Sequence, residues 1–253
     1  MTFRPILKKF ATVFFAAAAG LSAQDSRTVV ERFERAYRSS STLQASFLQR
    51  YSENGREVRS EAGVAYFGRP GKMRWEYQSP ERNLYLIDGK WSWFYVPADH
   101  TVTRIRAKES SDWRTPLALL AGEMKVSRIC ARVWLDSATP ASSPANLMLR
   151  CELRGSGSSR HDSNRHPVPG AEDDKVLFEV NSTSGELSRI IVSAPGGVQV
   201  EFRFANWQFG PRLDARTFRF DPPRGVAIVD GDLGAPGSSA AVRNSEATAP
   251  NQP

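Results

Sequence analysis

The sequence predicts a mainly β protein, built on one curved antiparallel sheet with few and short helices. Three observations carry this. Strand-period alternation runs through residues 58–106, where Met73, Trp75 and Tyr77 alternate with Lys72, Arg74 and Glu76. Turn signals divide the apolar runs, Asp88-Gly89 being the strongest. Helical periodicity is confined to two short stretches. Composition agrees: the 253-residue chain is 40% hydrophobic and 24% charged, the balance of a folded chain. Its two cysteines cannot staple a disulfide-dense scaffold. This length holds one large all-β domain or two small ones, and no 20–50-residue repeat divides it.

In chain order, Arg4, Lys8 and Lys9 precede an apolar stretch over 10–21, then small residues ending at Ala23. That order is a secretory leader, with cleavage expected after Ala23 and Ala19 as the alternative. A dozen apolar residues are too few to span a bilayer, which disfavours the rival reading of a membrane anchor. No cysteine follows the cleavage region, so no lipid anchor is expected. The expected organisation is a leader at 1–23, one domain at 24–234 and a disordered tail at 235–253. Loss of 1–23 removes three basic and no acidic residues, lowering the net charge from +7 to +4. The remaining charge is spread along the chain rather than gathered in a stripe, so no nucleic-acid partner is expected.

Residues 25–38 form an amphipathic helix with Val29, Val30, Phe33, Ala36 and Tyr37 on one face. Leu43, Ala45 and Phe47 begin a strand. A two-residue Asp88-Gly89 loop pairs Leu86 with Trp91 and Leu84 with Trp93, all on one face. Pro97 ends that hairpin, and 101–106 is a further strand. Thr115-Pro116 opens a short apolar helix that Gly122 stops. Too short to stand alone, it must dock on something. Strands follow at 125–134, 147–154, 176–181, 187–193 and 198–207. Residues 155–174 are a polar Gly/Ser/Pro-rich loop. Strand pairing sets Cys130 opposite Cys151, and a cross-strand disulfide is expected in an oxidising compartment, two reduced core thiols being the alternative.

Signatures of chemistry are sparse. His100, His161 and His166 match no metal-ligand spacing, and no metal is expected. The sequence has no nucleophile elbow, zinc-protease helix or phosphate-binding glycine loop. The feature that stands out is aromatic: Tyr66, Trp75, Tyr77, Trp91, Trp93, Phe94 and Tyr95 crowd one region of sheet. Core packing is the plain reading. A sheet with too few helices to cover it instead encloses an apolar pocket or leaves a patch exposed, and the pocket is the expected outcome.

Five stretches carry a family resemblance. They are Ala45-Ser46-Phe47-x-Gln49; Gly68-Arg69-Pro70-Gly71-Lys72-Met73-Arg74-Trp75-Glu76-Tyr77 with Pro80; Asp88-Gly89-Lys90 with Trp93-Phe94-Tyr95-x-Pro97; Thr115-Pro116-Leu117-x-x-Leu120; and Phe218-Arg219-Phe220-Asp221-Pro222-Pro223-x-Gly225-Val226. In that order and spacing, over about residues 25–230, they resemble the periplasmic carrier of outer-membrane lipoproteins, the LolA family. The cysteine pair and the 155–174 loop depart from the family pattern. The resemblance implies an incomplete, half-open antiparallel β-barrel whose short helices form a lid over an apolar cavity. It implies that Arg69 latches the lid by hydrogen bonds to helix carbonyls, although a lone arginine before a turn proline would otherwise be read as surface. It places Met73, Trp75, Trp93, Phe33, Leu117 and Leu120 around the acyl-chain cavity. The implied partners are acylated lipoproteins, an ATP-driven inner-membrane releasing transporter of the ABC type and an outer-membrane lipoprotein receptor. The implied protein is a periplasmic monomer with no cofactor and no catalytic residue. A carrier or sensor of another envelope lipid and a lipid-processing enzyme are the competing readings.

Overall fold

A computed structural model describes residues 25–107, 115–122, 125–154, 175–194 and 196–231. The leader at 1–23, the loop at 155–174 with His161 and His166, and the tail at 235–253 lie outside the described residues.

The chain opens with α1 (Ser26–Arg38), whose Asp25 cap accepts a hydrogen bond from the Arg27 amide at 3.2 Å. Strands β1 (Thr42–Glu53), β2 (Arg56–Gly68), β3 (Lys72–Ser79), β4 (Leu84–Ile87), β5 (Trp91–Val96) and β6 (Thr101–Arg106) follow as a meander. Helices α2 (Thr115–Ala121) and α3 (Val126–Ile129) come next. The chain returns as β7 (Cys130–Leu135), β8 (Asn146–Leu153), β9 (Lys175–Asn181), β10 (Leu187–Ala194) and β11 (Val198–Phe209), and closes with β12 (Ala227–Asp230).

All twelve described strands share one sheet, in the order β12-β6-β5-β4-β3-β2-β1-β11-β10-β9-β8-β7. Every neighbouring pair is antiparallel except β12 with β6. The end strands β12 and β7 do not pair with each other, so the sheet stays open. The expected half-open antiparallel architecture is the one observed.

Alternation divides the sheet into two faces. The main core collects Phe47, Phe67, Met73, Trp75, Tyr77, Tyr85, Phe178, Phe202 and Phe204 from the inner face. Against them pack Val29, Phe33 and Tyr37 of α1 and Leu117 and Leu120 of α2. These are the faces that the helical periodicity of 25–38 and the apolar run of 117–120 present. The outer face carries a separate cluster of Leu86, Trp93 and Val102, with Trp91, Tyr95, Phe220 and Val226 packed on it. The closing motif therefore covers this outer face, with Phe220 lying 5.7 Å from Trp93 and 5.6 Å from Tyr95, centroid to centroid. At Gly68 an added Cβ would sit 2.5 Å from the Phe218 ring, so the motif also seals the end of β2.

Three expectations are corrected. The β4–β5 register pairs Leu86 with Trp93 and Leu84 with Tyr95, two residues from the expected pairing. The cause is Asp88, whose carboxylate accepts from the amides of Lys90 and Trp91, both at 2.7 Å, and from the Trp93 indole at 3.0 Å. Asp88 thus becomes the first residue of the turn, and Gly89, at φ +97°, and Lys90 form its centre. A two-residue slip keeps every side chain on its face. Second, the expected strand 125–134 begins as a helix, α3, and becomes strand only at Cys130. Third, a bulge between Cys130 and Arg132 sets Cys130 opposite Leu153 and Cys151 opposite Val133. The cysteines are thus not direct cross-strand partners, yet their sulfurs are bonded, with Cα atoms 5.4 Å apart. The aromatic crowd lies in one region of sheet as expected, and alternation divides it between two faces: Trp75, Tyr77 and Phe94 pack with the inner core, while Trp91, Trp93 and Tyr95 belong to the outer cluster.

Candidate functional site

The Arg69-Pro70-Gly71 turn joins β2 to β3 beneath the helices. Two backbone bonds fix it there, from Arg69 N to Ser41 O at 2.9 Å and from Gly71 N to Ala121 O at 2.8 Å. The first continues the β1–β2 ladder into the segment that leads from α1, and the second ties the turn to the end of α2. Gly71 adopts φ +69°, a conformation glycine takes without the Cβ strain.

The Arg69 guanidinium then gathers carbonyls from both helices. Nη1 donates to Tyr37 O at 2.7 Å and to Ser40 O at 2.6 Å, and Nε donates to Leu120 O at 3.3 Å. The last carbonyls of a helix lack intrahelical donors and carry its negative dipole end. A planar fork with several N–H groups serves two such ends at once, which an ammonium does less well. Burial and the nearby Arg38 charge lower the Arg69 pKa, and arginine remains protonated even so. Its Nη2 is buried with no hydrogen-bond partner among the described residues. The hold is real but incomplete.

Beneath this junction the inner face is aromatic. Trp75 stands at its centre, with Phe47 at 4.6 Å, Phe202 at 5.4 Å, Phe67 at 5.9 Å and Phe204 at 6.1 Å between ring centroids. Phe33, Met73, Trp75, Leu117 and Leu120 all lie in this one cluster, each no more than 3% exposed. Trp93 does not join them. It faces outward, so its expected place in the cavity is corrected: alternation along β5 puts its neighbour Phe94 inside instead. The expected cavity is also modified. With the helices closed, Phe33, Met73, Trp75, Leu117 and Leu120 pack with one another between lid and sheet, and beside α1 run two surface clefts, one bordered by Glu31, Glu34, Arg35 and Arg38 and the other by Val30, Val126, Val133 and Arg154.

Helix α1 is also fastened to the sheet by polar contacts of its own. The Tyr37 hydroxyl accepts from Leu187 N at 2.9 Å, and its ring lies edge-on to Trp207 at 5.0 Å. Arg32 donates to Ser182 O across the same seam. An added Cβ at Gly185 would sit 2.5 Å from Arg32 O, so the β9–β10 turn can approach α1 only as glycine. The alternation of Val200, Phe202 and Phe204 was a readable sign of the inner floor. Nothing in the sequence marked Tyr37 O or Ser40 O as acceptors, because carbonyls carry no sequence signal.

With this geometry in view, a family model described as outer membrane lipoprotein carrier protein LolA matches residues 38–137. An outer-membrane lipoprotein carrier protein of Methylococcus capsulatus is 30% identical over 213 residues, covering 83% of this chain and 92% of the relative. The chain belongs to the outer-membrane lipoprotein carrier family. A relative of the same description from Chromobacterium violaceum is 30% identical over 220 residues, covering 86% of this chain and 95% of its own. Among solved structures, a LolA superfamily protein from Nitrosomonas europaea aligns with a TM-score of 0.40 at 9% identity, over 78% of this chain and 99% of its own. The family match at 38–137 spans Arg69, Met73, Trp75, Leu117 and Leu120.

Proposed function

We propose that this chain is a periplasmic carrier that shields the acyl chains of lipoproteins between its lid helices and its aromatic inner face. Residues 1–23 serve as its leader and 24–234 as the carrier domain. The observation that carries the reading is the Arg69 junction: one guanidinium holds the ends of α1 and α2 closed over an apolar floor, in a chain of the carrier family.

The physical demands of carriage fit that arrangement. Each buried methylene is worth about 0.8 kcal/mol, so one acyl chain of about fifteen carbons holds a membrane by about 12 kcal/mol. A carrier must offer comparable apolar surface and still let go. In the closed form, Phe33, Trp75, Leu117 and Leu120 satisfy one another. Acyl chains enter by parting the helices, which breaks the Arg69 bonds and leaves the loaded form poised to close again. Arg69 is the latch in this scheme, and Phe33, Met73, Trp75, Leu117 and Leu120 are the acyl-chain surface. An ATP-driven inner-membrane transporter supplies the work of loading, and an outer-membrane receptor with stronger binding takes the cargo. The chain acts as a monomer, uses no cofactor and hydrolyses nothing.

The test is a release assay with purified residues 24–253 and spheroplasts retaining a triacylated lipoprotein. A soluble one-to-one complex is the expected product. Another lipid bound in its place would reassign the cargo to that lipid, and an empty protein would refute the carrier reading.

A further inference from the structure

We infer that Glu34 is a second latch of the lid, a carboxylate that holds α1 to α3 as Arg69 holds α1 to α2. The functional half of this inference rests on the carrier reading above. Glu34 lies on the polar side of α1, yet its side chain is only 16% exposed. Its Oε1 accepts from the amide of Val126, the first residue of α3, at 2.7 Å. Its Oε2 accepts from Arg38, one turn later, at 2.6 Å.

The Val126 amide is one of the orphan donors at a helix start. Its own N-cap position, Lys125, supplies no side-chain acceptor. Glu34 provides the cap from another helix, 92 residues away in sequence, through a charge-assisted bond. From Ser127 onward α3 is tied to the sheet. Arg154 donates to Ser127 O at 2.7 Å, its amide donates to Ile129 O at 2.8 Å, and Cys130 is bonded to Cys151. Helix α3 is thus pinned to the sheet at its C-terminal end and to α1 at its N-terminal end. The second contact joins two lid helices.

The two latches are complementary in chemistry. Arg69 donates to carbonyls at the ends of α1 and α2, and Glu34 accepts an amide at the start of α3. They also share a neighbour, since Arg38 pairs with Glu34 and its charge bears on Arg69. Parting α1 from α2 and α3 requires both to open. Each latch therefore lowers the population of the open form, and with it the apparent affinity for acyl cargo.

The experiment uses the whole mature chain and two readouts: amide exchange at Val126, and affinity for a synthetic triacylated cysteinyl peptide. Glu34→Ala is expected to speed exchange at Val126 and to tighten peptide binding, each about tenfold, the effect of one hydrogen bond to a charged group. Glu34→Gln keeps an acceptor oxygen and should fall between. Val126→Pro is the independent check, because it deletes the donor and keeps an apolar side chain at a position that is 1% exposed in the main core. Proline suits a first helical position, and Lys125 is already extended at φ −119° and ψ 107°, as a residue before proline must be. It should tighten binding as Glu34→Ala does. Faster exchange with unchanged peptide affinity would make Glu34 a local cap and overturn the latch. Unchanged exchange would overturn it too. If the unaltered chain takes no peptide, the carrier reading fails separately. The latch is then decided by exchange alone: faster exchange reaching Leu120 upholds it, and faster exchange confined to 126–129 refutes it.

Discussion

Arg69→Leu removes the guanidinium and keeps an apolar stem of similar reach. Two of its bonds, at 2.6 and 2.7 Å, are short and charge-assisted, and the third, at 3.3 Å, is weak. Hydrogen bonds to charged groups contribute about 1.5–3 kcal/mol each. Against that stand the burial of the charge, the repulsion from Arg38 and the partnerless Nη2. A net loss of about 2 kcal/mol from the closed form follows, which is roughly a thirtyfold shift toward open. The variant should accept lipoprotein from spheroplasts at least as well as the unaltered chain. It should then pass that cargo to outer-membrane vesicles about thirtyfold more slowly, since closing no longer drives release. Arg69→Lys, with one point charge and no fork, should fall between. Normal handover by Arg69→Leu would refute the latch.

Three further outcomes follow from the same structure. Met73→Glu and Trp75→Glu each place a carboxylate in the apolar floor and should weaken binding of a triacylated peptide by tenfold or more; unchanged binding in titration calorimetry would mean that this face does not meet the chains. Trp93→Ala should leave that binding unchanged while lowering stability by about 3 kcal/mol in urea unfolding, because Trp93 packs on the outer face with Phe220. The third concerns Glu179, which is fully buried. Burial pushes its pKa up, but hydrogen bonds from Ser142 and Asn146 and the Arg189 charge outweigh this and hold it below the usual value. A depressed carboxylate stabilises the fold above its unfolded pKa, and that contribution fades as pH falls through the folded value. Glu179→Gln should therefore cost about 2 kcal/mol at pH 7, with the gap narrowing below about pH 4.5 in thermal melts. A gap independent of pH would contradict the assignment.

Much of this fold was legible because period carries it. Met73-Trp75-Tyr77 against Lys72-Arg74-Glu76 gave β3 and its buried face, and Phe33 and Tyr37 gave the inward side of α1. Period fixes a side chain's face only relative to its strand neighbours. It could show that Trp91 and Trp93 share a face, but not that this face is the outer one. That depended on the closing segment returning to cover it with Phe220 and Val226. Helix α3 was illegible for a similar reason, since its start is capped by Glu34 from a distant helix. The exposed β12, pairing with β6 in parallel through residues 227–230, offered too short a pattern to read. At the site, motif spacing singled out Arg69, but its acceptors are carbonyls, which every residue has.

The central claim is that acyl chains lodge between the lid and the inner face. It is tested most directly by placing a photo-crosslinking residue at Met73 and, separately, at Trp93, then illuminating during release from spheroplasts. The account predicts a crosslink to the acyl portion of the lipoprotein from position 73 and none from position 93. A crosslink from 93 alone, or from neither position in a chain that still carries cargo, would contradict it.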